Sequence, residues 1–195
     1  LIETTFLKTP NSFFNRKITQ HLYIQILNPL HLSRSIIAIT IMKIEEIIKS
    51  NVALSDAKKV ILNLMYTQNV VGDKFYELLK PYDLSSEQYN VLRILRGQKG
   101  APANMCVIQE RMIAKNSNTT RLIDKLLLKE LVTREVCPEN RRKMEILITS
   151  KGLKLLEELD PSVTEHEQLF VSNLTTEEAL ELNRLLEKYR TFKTK

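Results

Sequence analysis

Three consecutive cations, Arg141, Arg142 and Lys143, interrupt the stretch VCPENRRKMEILITSKG between two runs of strand-like alternation. Like charges at adjacent positions repel. Water screens them, and a polyanion laid against them turns the repulsion into attraction. Pro138 and Asn140 are turn formers suited to supporting such a tip. Upstream lies a second polar set: Ser117, Asn118, Thr120, Arg121 and Lys125. Wound on a helix these lie opposite Ile123 and Leu126, with Asn118 at the margin and Asp124 among them. Hydroxyls and amides approach phosphates and base edges closely, and Arg pairs with guanine in bidentate fashion. A helix N-terminus adds its own affinity for phosphate. Asp124 is expected to orient Arg121 one turn back. Either set alone would pass for solvated surface. Together they fall in a segment, Arg111 to Lys143, with nine bases against four acids, the footprint expected for a nucleic-acid partner.

Other chemistries find little support. His21, His31 and His166 are scattered, and Cys106 and Cys137 form no C-x-x-C pair. Metal-ligand spacing and a disulfide framework are therefore missing, and a reducing, cytoplasmic setting is expected. There is no glycine-rich phosphate loop, carboxylate cluster or histidine beside a nucleophile, so neither an enzyme nor a cofactor is expected. The longest apolar run, Ser35 to Met42, falls far short of the ~20 residues that cross a membrane. The chain has 195 residues, 43% hydrophobic and 27% charged, enough for one domain with a core. Residues 1–41 hold one acid against four bases and no sustained period. They read as an extension, not native or disordered, before a natural start at Met42. The rival reading is a targeting segment.

The elements that must position these residues follow from periodicity and caps. Ser55 and Asp56 open a helix of about 25 residues with an apolar stripe at Val60, Ile61, Leu64, Val71, Phe75 and Leu78, ended by Pro81. Ser85 and Gln88 form a capping box with a Leu84–Tyr89 staple, and Gly97 and Gly100 close that helix. Two short helices follow, roughly Met105 to Ile113 and Ser117 to Lys129, a helix-turn-helix candidate. Val132, Arg134 and Val136 then share one face of a strand, and Met144, Ile146 and Ile148 one face of the next. Thr149 caps a helix from Lys151 to about Leu159, where Pro161 interrupts. Thr175 and Glu178 box a last helix striped by Leu182, Leu185, Leu186 and Tyr189. The fold class is mainly α: a winged helix-turn-helix with a two-stranded β wing, plus helices from both termini.

From about Leu54 to Tyr189 this order resembles the MarR family of bacterial transcription regulators. The specific part is NTTRLIDKLLLKELVTREVCPENRRKMEILITSKG, Asn118 to Gly152. Thr120 to Leu126 match a T-R-L-[VI]-D-[KR]-L recognition helix, Asn140, Arg141 and Arg142 a D-x-R wing tip, and Ile148 to Gly152 an L-T-x-x-G opening. Three departures stand out: Asn140 replaces the wing acid, Met112-Ile113-Ala114 lacks the usual glycine of the helix-turn-helix turn, and Leu128-Lys129-Glu130 lacks the glycine of the wing base. The resemblance implies a single domain over 42–195, with a DNA-binding winged helix at 85–150 and dimerisation helices at 54–81 and 151–193. It further implies a homodimer on double-stranded DNA at a pseudo-palindromic operator, repression, and release by a small-molecule effector. The acid-rich tail, Leu153 to Lys195, with nine acids and six bases, fits a region that avoids DNA. Cys106 is expected to be a buried thiol and Cys137 a bystander with access to solvent. The alternative is a winged-helix interaction module whose basic wing binds an acidic protein partner.

Overall fold

The structure is a computed structural model that describes residues 42–137, 140 and 143–191. Expectations for residues 1–41, Pro138, Arg141 and Arg142 lie outside the described residues. The chain forms α1 (Ile44–Ile47), α2 (Asp56–Leu79), a 3-10 turn (Lys80–Tyr82), α3 (Ser86–Arg96), β1 (Ala103–Asn104), α4 (Met105–Arg111) and α5 (Thr119–Leu128). Then come β2 (Val132–Val136), β3 (Met144–Ile148), α6 (Ser150–Val171) and α7 (Thr176–Tyr189). This is the mainly helical winged-helix order read from the sequence.

The capping residues sit where their chemistry places them. The Ser55 hydroxyl accepts from Lys58 N, and the Ser85–Gln88 and Thr175–Glu178 boxes both close reciprocally. Each satisfies backbone donors that a helix start leaves orphaned. Pro81 falls in the 3-10 turn, and Asp83 follows in a left-handed conformation that redirects the chain into α3. The core lies beneath the winged region. Leu79, Leu92, Leu95, Ile108, Ile123, Leu126, Ile146, Leu156 and Leu159 are all fully buried, each worth roughly 1.5–3 kcal/mol of burial. Within it α3 packs against α5 and α6, and α2 against α6.

Several elements differ from the expectation for physical reasons. The sheet has a third strand. β1 pairs with β3 through Ala103↔Ile146 and Asn104↔Glu145, giving the order β1-β3-β2, so the wing hairpin is anchored on its inner edge. Two residues carry no alternation to detect. α1 precedes the first expected helix, with Ile44 buried and Glu45 paired to Lys59 at 2.7 Å. Pro161 does not end its helix, for α6 runs 22 residues through it. The missing N–H costs about 3 kcal/mol in a helix interior. Leu156, Leu159 and Val163 bury on both sides of it, and Arg96 clamps Asp160 bidentately at 2.7 and 3.0 Å. Tertiary contact outweighs local propensity here.

Candidate nucleic-acid interface

The recognition helix begins at Thr119, two residues later than expected, because Asn118 caps it. The Asn118 side-chain oxygen accepts from Arg121 N at 3.1 Å. Asn118 is thus the cap rather than a margin of the helix face, and Ser117 lies outside the helix. Thr119 is buried, and its hydroxyl donates to Gln109 Oε1 of α4. Gln109 Nε2 in turn donates to the Lys115 carbonyl in the turn. One side chain therefore ties both arms of the helix-turn-helix together. Gln109 was not singled out in the sequence, and its position before the turn offers only a weak signal. The turn is made without a glycine: Met112 ends α4 in extended backbone, is itself 1% exposed, and no residue from Met112 to Asn118 takes a positive φ.

Ile123 and Leu126 fill the core side of α5, so Thr120, Arg121, Asp124 and Lys125 face outward and are exposed. An open groove of about 850 Å³ runs along the start of the helix, and Ser117, Asn118 and Thr120 line it together with Cys106 and Lys115. The structure thus brings Ser117, Asn118 and Thr120 to one groove and sets Arg121 and Lys125 on the adjoining outer face. Asp124 does not orient Arg121. It pairs instead with Arg134 of β2 at 2.8 Å. Lys129 is also engaged, donating to Asp83 Oδ2 at 2.7 Å and to the Asp83 carbonyl. That hydrogen bond holds the Asp83 carboxyl below its ordinary pKa. Arg121 and Lys125 enter no ion pair among the described residues.

At the wing, Cys137 N donates to the Lys143 carbonyl at 3.0 Å and closes the loop. Asn140 N donates to the Cys137 carbonyl at 3.2 Å, and Lys143 N to the Asn140 carbonyl at 2.8 Å. The backbone of Asn140 therefore shapes the turn whatever its side-chain charge. Lys143 is exposed at the base of the tip. The cysteines exchange their expected roles: Cys106 is exposed on α4, and Cys137 is buried at the loop closure. Among the described residues no group of His, Cys, Asp and Glu is arranged to hold a metal, and no helix is long and apolar enough to cross a membrane.

A family model for MarR matches residues 84–144, the span of the helix-turn-helix and most of the wing. The HTH-type transcriptional repressor IacR of Pseudomonas putida is 31% identical over 122 residues, covering 63% of this chain and 69% of IacR. The chain belongs to the MarR family. A MarR transcription factor structure from Planctomyces limnophilus is 34% identical with a TM-score of 0.55, covering 70% of this chain and 98% of that one. Bordetella bronchiseptica BpsR, whose DNA binding is regulated by 6-hydroxynicotinic acid, shares the fold at 20% identity and a TM-score of 0.64, covering 73% of this chain and all of BpsR. As a MarR member the chain is a winged-helix, DNA-binding transcription regulator. At the wing base, where the sequence lacks a glycine, Glu130 takes left-handed backbone at φ 60°.

Proposed function

We propose that two copies of this chain bind a pseudo-palindromic operator in the cytoplasm and repress transcription until a small ligand releases them. The observation that carries the reading is the outward face of α5. Thr120, Arg121 and Lys125 project from it while Ile123 and Leu126 hold its other side in the core. Such a helix can enter a major groove with its small polar end first. Ser117, Asn118 and Thr120 are assigned to phosphates and base edges near the helix start. Arg121 is assigned to a base, and Lys125 and Lys143 to the backbone. Arg141 and Arg142 join them from the sequence of the wing tip, supported by Pro138 and Asn140. Arg side chains suit a narrow, negative minor groove. The regions 54–81 and 151–193 are assigned to dimerisation, and 85–150 to DNA.

The proposed effector site is a cavity of about 580 Å³ where α2, α3, α6 and the helix-turn-helix turn meet. Phe75, Tyr89 and Met112 supply apolar wall, and Thr67, Asn90 and Arg93 supply polar groups. That mixture fits a small aromatic ligand with one polar or anionic substituent, and the regulation of BpsR by 6-hydroxynicotinic acid favours the same class.

The decisive experiment titrates the protein against the inverted repeat beside its own gene and against random duplex of equal length. Selective binding is expected, and Arg121→Ala should lose roughly 1–3 kcal/mol of base discrimination. Equal affinity for both duplexes would instead favour a wing that serves an acidic protein partner.

A further inference from the structure

The wing leaves the core early. Val132 is buried, but Thr133 through Val136 are exposed, so burial along β2 ends at its first residue. Arg134 is the residue that reaches back. It lies in register with the fully buried Ile146 of β3, and so emerges on the same sheet face as the core residues, at the point where they run out. Its Nη1 donates to Asp124 Oδ1 at 2.8 Å on the outer side of α5. The two side chains are 36% and 51% exposed, and pairs as open as this add little to stability. Asp124 also stands between Arg121 and Lys125 on the face assigned to DNA, where a carboxylate opposes phosphate. Stability does not explain the acid, and simple affinity argues against it.

We propose that Asp124 and Arg134 are positioning residues: their ion pair sets the angle between the recognition helix and the wing, so that both meet adjacent grooves at once. The inference rests on the reading that α5 and the wing contact one duplex. It turns an apparent liability into a brace. The cost of one negative charge near the DNA is offset by fixing two reading elements at the point on β2 where burial ends after Val132.

The brace predicts a sign that electrostatics alone does not. Asp124→Asn removes a negative charge from the DNA-facing helix, so random duplex should be bound as tightly as before or more tightly. Binding to the inverted repeat should weaken, with the ratio of specific to random affinity falling roughly tenfold. Arg134→Gln should lower that ratio similarly, and the double variant should add little to either single change. Arg134→Lys, which can keep the pair, should restore most of the ratio. Thermal unfolding of each variant, read alongside, should stay close to wild type. Asp124→Asn that binds both duplexes more tightly in equal measure would overturn the brace, as would fully additive losses in the double variant. A wild-type protein without preference for the repeat would overturn the DNA reading and the brace with it. A selective wild type with an equally selective Asp124→Asn would overturn the brace alone.

Discussion

Glu130 shows how much can rest on one backbone angle. It follows α5 at φ 60°, where a side chain costs roughly 1–2 kcal/mol and glycine costs nothing of the kind. Three contacts keep it there. Its N–H donates to the Leu127 carbonyl at 2.9 Å, its carbonyl accepts from Thr149 Oγ1 at 2.8 Å, and its carboxylate meets Lys151 Nζ at 3.0 Å. The first two belong to the backbone and survive substitution. The third is an exposed pair worth a few tenths of a kcal/mol. Glu130→Gly should therefore relieve strain, lose the weak pair and gain unfolded-chain entropy, for a net stabilisation of roughly 0.5 kcal/mol. Glu130→Ala keeps the strain and loses the pair, so it should be destabilising. Urea unfolding midpoints moving in opposite directions for the two variants is the expected result. Movement in the same direction would show that the strain is absorbed elsewhere.

At the scale of elements, what the sequence disclosed depended on how local the cause was. The caps at Ser55, Ser85, Thr149 and Thr175 were legible because each acts within three residues of itself. The outward set Thr120, Arg121 and Lys125 was legible because helical period alone separates it from Ile123 and Leu126. Most of the misses involve distant partners. β1 exists because Ala103 meets Ile146, α6 survives Pro161 because α3 braces it, and Asp124 turns to Arg134 because β2 passes nearby. The swapped exposure of Cys106 and Cys137 has the same origin, since burial at a loop closure has no local period. Gly152 joins the two kinds. It follows the Thr149 cap, but its need for glycine is tertiary: a Cβ there would lie 2.4 Å from the Leu131 carbonyl oxygen and 2.8 Å from Ile148 Cγ1. That carbonyl already accepts from Thr149 N at 3.1 Å, so it cannot move without releasing the start of α6 from the sheet. Gly152→Ala should cost roughly 2–3 kcal/mol, as overpacking against rigid backbone does. A chemical-denaturation curve close to wild type would show that the sheet edge yields more than these contacts suggest.

At the scale of the whole molecule, the described residues carry apolar surface open to solvent. α7 is amphipathic yet has no buried residue, and Leu180, Leu182, Leu185 and Tyr189 are 45–65% exposed. Along α2, Val60, Ile61, Met65 and Tyr66 are likewise exposed, in the half of the helix remote from the core. An isolated helix of 14 residues is marginal in water, so α7 needs a surface to pack on. Exposed apolar area on α2 and α7, both outside the basic segment of the sequence, is what a self-complementary interface requires. Replacing Leu182 and Leu185 together by Glu adds two charges to that face without touching any buried residue of the core. The double variant should sediment as a single chain of 22.7 kDa, where the wild type is expected to sediment at twice that mass. Its affinity for the inverted repeat should fall about 100-fold or more, because two tethered half-site contacts become one. Its affinity for a single half-site should be nearly unchanged, since Arg121 and Lys125 lie on a different element. A wild type that sediments as one chain, or a variant that keeps full affinity for the repeat, would show that the terminal helices serve something other than pairing.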